Sequence, residues 1–169
     1  TASYTYSGDA NHEGSSDSEN FTIGKANAVI SVTPYDVVYD ALAHTSDYTA
    51  KGVQNEDLSG VDVSATTHTA AGTYNGDAWS FTDVTGNYND ASGTVDNQID
   101  KAISTTVVTI NGGPFIYTGL AITPATVTVT GVGGLNETPS AVYINNTNAG
   151  TATASYTYSG DANHEGSSD

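Results

Sequence analysis

Residues 1–17 of the chain, TASYTYSGDANHEGSSD, recur letter for letter as residues 153–169. An identical stretch of this length, displaced by 152 positions, marks a chain assembled from copies of one unit. A weaker correspondence lies at half that distance. Ile23, Lys25 and Ala26 match Ile99, Lys101 and Ala102 at a displacement of 76, and Asn11 and Ser16 match Asn87 and Ser92. YDALA at 39–43 matches YTGLA at 117–121, and TAAGT at 69–73 matches TNAGT at 147–151, both displaced by 78. Such small length differences belong to turns, where insertions are tolerated. The chain therefore reads as an alternating array. Residues 1–26 are the C-terminal part of a preceding B-type unit, 27–102 are a complete A-type unit, and 103–169 are a B-type unit without its last strand. Both ends fall in mid-unit, as in a window on a continuing polymer.

Each unit reads as strands and turns. TASYTYS alternates Ala2, Tyr4 and Tyr6 with polar residues, and TVTVTGV does the same with Val127 and Val129. Further strands are expected at 29–33, 37–40, 48–51, 61–66, 72–81 and 95–101 in the first unit. In the second they are expected at 105–110, 115–117, 125–131, 141–145 and 151–158. Asn75-Gly76, Asn111-Gly112-Gly113-Pro114, Gly133-Gly134 and Ser159-Gly160-Asp161 supply the turns between them. Strong helix formers are scarce. The predicted fold is all-β: tandem Ig-like antiparallel β-sandwich repeats, end to end, with no helices of note. Tyr, Val, Ile and the single Trp79 are the expected core. No Pro/Ser/Gly-rich spacer separates the units, so hinge motion should be restricted.

Charge narrows the partners. Nineteen acidic residues face three lysines, Lys25, Lys51 and Lys101, and no arginine, for a formal net charge of −16. Nucleic acid is excluded, since phosphate binding needs clustered cations, and an anionic membrane surface would repel the chain. No apolar run is long enough to insert in a membrane. There is no cysteine, so neither disulfides nor thiolate metal sites are available. A strongly acidic chain suits a protein kept soluble at high local density.

VVYDALAH at 37–44, AAGTY at 70–74, GNYNDASG at 86–93 and the closing QIDKA at 98–102 carry a family likeness. Together they resemble the MBG/YDG-type Ig-like tandem repeats of bacterial cell-surface and adhesin proteins, in which a Tyr-Asp-Gly step, an NAGTY motif and a terminal T-I-x-K-A recur without linkers. Neither unit keeps the full Tyr-Asp-Gly step, since Ala41 and Thr118 interrupt it. The resemblance implies an extracellular, cell-surface location and a structural role in a large adhesin or filament protein. It carries over no catalytic residue.

Four candidate features remain. DANHEG approaches a calcium loop, with oxygen ligands at alternate positions ahead of a turning glycine. The candidate ligands are Asp9, Asn11 and Glu13 in one copy and Asp161, Asn163 and Glu165 in the other; a polar turn before the closing strand is the alternative. Calcium is the one cofactor this suggests. Asn20, Asn136 and Asn145 head N-x-[ST] sequons, hence candidate glycosylation sites. Lys25 and Lys101 sit at equivalent junction positions. They serve either as isopeptide donors to a facing Asn or Asp, or as charges guarding a strand end. His12, His44, His68 and His164 are the only imidazoles, and no nucleophile, zinc or phosphate-loop motif accompanies them, so no enzyme is expected.

The expected function is that of a structural module: a stalk, spacer or filament unit. Its partners would be neighbouring copies of the same repeat, covalently continuous or joined by donor-strand addition. The alternative is a glycan- or protein-binding adhesin module presenting tyrosines.

Overall fold

The computed structural model describes the whole chain, Thr1–Asp169, as fifteen strands and two short 3-10 turns with no α-helix. β1 (Ala2–Tyr6) and β2 (Ser15–Glu19) form an antiparallel hairpin in which Ala2 faces Glu19 and Tyr6 faces Ser15. The hairpin is almost wholly exposed, with Tyr4 at 75%.

The next stretch forms two sheets arranged as a sandwich. One pairs β3 (Val29–Thr33) antiparallel with β5 (Asp47–Lys51). The other holds β4 (Asp36–Val38), β8 (Ala91–Asp100), β7 (Gly72–Phe81) and β6 (Val61–Asp62), in that spatial order. β8 is its keystone. It pairs antiparallel with β7 and parallel with β4, where Val37 faces Ile99. Period-two alternation sends Val95, Asn97 and Ile99 inward, at 9%, 2% and 1% exposure, and leaves Asp96 and Asp100 in solvent. Phe81 and Ala50 complete this apolar core. Asn97 is tolerated there because both ends of its amide are hydrogen-bonded. Its Oδ1 accepts from the Tyr35 N–H at 3.1 Å and the Ser46 hydroxyl at 2.9 Å, and its Nδ2 donates to Asp77 at 2.8 Å.

The second half is built from three further antiparallel sheets. β9 (Ser104–Ile110) pairs with β10 (Ala125–Gly131), whose far end meets β11 (Asn136–Glu137). β12 (Val142–Ile144) pairs with β13 (Thr153–Ser155), and β14 (Thr157–Tyr158) with β15 (Ser167–Ser168). Val127 and Val129 are fully buried from β10, as their alternation predicts. Each half also carries a backbone amide bonded to a side-chain hydroxyl at the entry to a strand. The Ser46 N–H donates to the Thr66 hydroxyl at 2.9 Å, and the Ala125 N–H donates to the Tyr143 hydroxyl at 2.8 Å.

Three strand expectations change. The strand expected at 61–66 stops after two residues, because the Asp62 carboxylate accepts the Ser64 N–H at 2.9 Å and turns the backbone into a 3-10 turn at Ser64–Thr66. Residues 115–117 form no strand, since no partner strand lies beside them. The strand expected at 151–158 is divided between β13 and β14. Trp79 is half-buried, its indole lying over Gly93, where an added Cβ would meet the ring at 2.7 Å.

Candidate functional site

The duplicated DANH stretch folds into the same tight turn in both copies. In the first, Asp9 Oδ1 accepts the Asn11 N–H at 2.8 Å and the His12 N–H at 2.9 Å, with His12 Nδ1 also 2.9 Å away. In the second, Asp161 Oδ1 accepts the Asn163 and His164 N–H groups at 2.7 Å, with His164 Nδ1 at 2.9 Å. An Asp that caps its own following amides makes an Asx turn from local sequence alone. Gly8 and Gly160 precede it at φ 84° and 86°, a region that favours glycine.

What differs is the surroundings. The His12 side chain is 71% exposed, whereas His164 is 4% exposed. The second turn is docked where the two halves meet. The Ala102 N–H donates to the Asn163 carbonyl at 2.9 Å, and the Glu165 N–H donates back to the Ala102 carbonyl at 2.8 Å, a two-bond clamp on a buried alanine. Asn163 Oδ1 accepts the Ala71 N–H at 2.9 Å. His164 Nε2 lies 2.9 Å from the Val132 carbonyl, and its ring meets Tyr39 edge-on. The backbone at Gly131 comes so close that an added Cβ would sit 2.9 Å from the imidazole.

A similar clamp stands at the start of the first sandwich. The Ala26 N–H donates to the Asn87 carbonyl at 2.9 Å, and the Asn89 N–H donates to Ala26 at 2.8 Å. Tyr88 takes the place of His164, buried, with its hydroxyl on Glu56 and accepting the Val53 N–H. The carboxylates that shape these turns titrate low. Burial raises the Asp83 and Asp161 carboxyls, but hydrogen bonds outweigh it, led by the Tyr88 N–H and the Asn163 N–H respectively, and hold each down to about 2. Asp9 is also lowered to about 2, first by the Tyr6 hydroxyl. Tyr158, the counterpart of Tyr6, has no hydrogen-bond partner for its buried hydroxyl. Burial, with Asp161 nearby, pushes it up to about 12.

The candidate calcium ligands are not gathered. The oxygens of Asp9 and Asp161 are turned onto their own loops, Asn163 reaches Ala71, and Glu165 contributes its main chain to the clamp. Asn11 and Glu13 are exposed. No three His, Asp or Glu side chains converge to hold a metal ion. Lys101 donates to the main-chain carbonyl of Asp161 at 2.5 Å, which is not a side chain an isopeptide bond could use, and Lys25 is exposed. Of the sequon residues, Asn20 accepts from the Thr1 hydroxyl, Asn136 opens β11, and Asn145 stands exposed at φ 60°. Sequence reasoning missed Tyr39, Ala71 and Gly131 as junction residues. The recurrence of Ala26 and Ala102 was the signal that pointed there.

A concavity lies in the second half. A cleft of ≈ 400 Å³ is lined by Ile110, Phe115, Ile122, Pro124, Tyr143 and Ala154, among others. Phe115, Ile116, Tyr117 and Leu120 beside it are 49–78% exposed. No helix is long and apolar enough to cross a membrane. Comparison with family models, with curated proteins and with solved structures returns no match.

Proposed function

We propose that the chain is a structural tandem-repeat module, a stalk, spacer or filament unit of a large extracellular surface protein, built as Ig-like sandwiches laid end to end. The observation that carries this reading is the clamp at Ala102. It binds the last residues of one sandwich into the terminal loop of the next, and the Asn163–Ala71 bond braces it from the side. A joint with main-chain bonds on both faces of the connector transmits direction as well as tension. The formal charge of −16 keeps neighbouring stalks apart.

Small-angle scattering on concatemers of one, two and three 152-residue periods tests it. The expected result is a maximum dimension that grows by a constant increment with an unchanged cross-section. Compact or freely bent concatemers would refute it. A second reading, a glycan- or protein-binding adhesin module, is favoured by the exposure of Tyr4, Tyr48 and Tyr117 at 75%, 44% and 61%. A glycan array probed with one period decides between them, with binding lost on Tyr117→Ala supporting recognition.

A further inference from the structure

The chain holds two Asn-Gly steps, Asn75-Gly76 and Asn111-Gly112, both exposed and both with the glycine at positive φ, 77° and 80°. In such a step the glycine nitrogen can attack the asparagine carboxamide with little hindrance, because glycine has no Cβ to block the approach. The two steps are held in opposite ways. We propose that Asn111-Gly112 is a site of spontaneous covalent modification, closing to a succinimide and opening to isoaspartate or aspartate, and that Asp96 shields Asn75-Gly76 from the same reaction. Only residues 72–126 take part, and nothing in the reaction depends on the stalk reading.

The reaction needs the chain and one water. The glycine N–H gives up its proton, its nitrogen bonds to the asparagine Cγ, and the Cγ–Nδ2 bond breaks as ammonia leaves with that proton. Water then adds to one of the two ring carbonyls and opens the ring. Opening on one side gives aspartate. Opening on the other gives isoaspartate, in which the main chain runs through Cγ.

Asn75 and Gly76 form a bulge inside β7. Tyr74 pairs with Asn97 and Asp77 with Val95, so two residues of β7 stand opposite the single Asp96 of β8. Asp96 Oδ1 accepts the Gly76 N–H at 2.7 Å. That bond is charge-assisted and of the stronger kind. It opposes the first step twice. It must break before the nitrogen can swing to Cγ, and a nitrogen stripped of its proton would face a carboxylate at short range.

Asn111 inverts the arrangement. The Gly112 N–H donates to no main-chain carbonyl, and an added Cβ at Gly112 would meet nothing within 4 Å. The attacking nitrogen is free to turn. The carboxamide is what is held: its Nδ2 donates to the Pro124 carbonyl at 3.0 Å and to the Thr126 hydroxyl at 3.2 Å. Both partners are neutral, so releasing this amide costs less than parting Gly76 from Asp96. Residues 102–136 contain no carboxylate to stand against proton loss.

The product acts on the fold. The Asn111 N–H also donates to the Pro124 carbonyl, at 3.1 Å, so this residue ties the end of β9 to the start of β10. A carboxylate in its place loses the Nδ2 donors and sets its own oxygen against the Pro124 carbonyl. Isoaspartate adds a main-chain atom besides. Either product loosens this end of the β9–β10 pair and puts a charge into a stretch that had none.

The test incubates the folded 169-residue chain in mildly alkaline buffer, beside the same chain in denaturant. Both steps are followed by peptide mass and by enzymatic methylation of isoaspartate. In denaturant the two should convert at similar rates. In the folded chain Asn111 should convert about tenfold or more faster than Asn75, as follows if Asp96 disfavours proton loss by about 1.4 kcal/mol. Asp96→Ala should bring Asn75 up towards Asn111. Converted chain, separated by its extra charge, should unfold at a lower temperature, and Asn111→Asp should shift the midpoint in the same direction. Equal rates at the two steps in the folded chain, or an Asn111 that stays intact while the denatured chain converts, would overturn the proposal. If Asn75 stays inert in Asp96→Ala, β7 itself protects it and the shielding by Asp96 falls. If Asn111→Asp unfolds where the parent chain does, the effect on the β9–β10 end falls.

Discussion

The rings of Tyr39 and His164 meet edge to face, with centroids 5.5 Å apart and planes at 85°. Tyr39 belongs to the first sandwich and His164 to the terminal loop of the second half, so the contact spans the boundary between them. Its hydroxyl end lies against Gly133, where an added Cβ would stand 2.6 Å from the phenol oxygen. Edge-to-face pairs contribute about 0.5–1.5 kcal/mol beyond the area they bury.

The chain carries its own control for this joint. His164→Ala removes the contact with Tyr39, the bond to Val132 and a buried side chain, and should destabilise by about 1–3 kcal/mol. His12→Ala alters the same letter of the same stretch where the ring is exposed, and should cost less than about 0.5 kcal/mol. Denaturant melts of the two variants check both values. Equal effects would show that the histidine acts only within its own turn.

A second pair isolates the closing strand. Ile99 is 1% exposed and Ile23, its counterpart, is 85% exposed. Ile99→Ala should cost about 2–4 kcal/mol through lost burial and the cavity left behind. In dilute chain, Ile23→Ala should shift the unfolding midpoint within error.

Acid should loosen the turns before the sheets. The Asp161 and Asp83 carboxyls are held down to about 2 in the folded chain, below the ordinary value near 4 expected when unfolded. A depressed folded pKa gives stability that is complete above the unfolded value and lost as pH falls from about 4 towards about 2. Asp161 is 43% exposed, so solvent screening keeps its share modest. Amide exchange at Asn163 and His164 should accelerate in that window while β10 stays protected. Asp161→Asn should flatten the response.

Calcium provides a fourth check. With Asp9 and Asp161 committed to their own backbone amides, millimolar calcium or its removal by chelator should leave the unfolding midpoint of the chain unchanged. A rise of several degrees on adding calcium, absent in Asp161→Asn, would show that the turn reopens to take the ion.

Much of this architecture was legible in the letters, for reasons that differ along the chain. The alternation of Val127 and Val129 with threonine fixes which face of β10 turns inward, because a pleated strand has a period of two. The recurrence of Ile23 as Ile99, and of Ala26 as Ala102, located the closing strand and the joint. Residues 61–66 misled because one carboxylate, Asp62, outcompetes the sheet for a backbone amide. The burial of His164 was invisible for a simpler reason. Identical sequences at 1–17 and 153–169 have different environments, and only the tertiary partners Tyr39, Ala71 and Gly131 distinguish them. The DANH turn was read as a place for a cation or a simple polar bend; its hydrogen bonds form a self-contained latch whose outer face is what docks.

The clamp at Ala102 is made by an amide and a carbonyl, groups every residue but proline carries in full, and the side chain contributes only its small size. Side-chain drift in adjoining bricks therefore leaves the coupling intact so long as the connector stays slim. A joint of this kind couples two stretches of unlike sequence without the side chains on either side having to match.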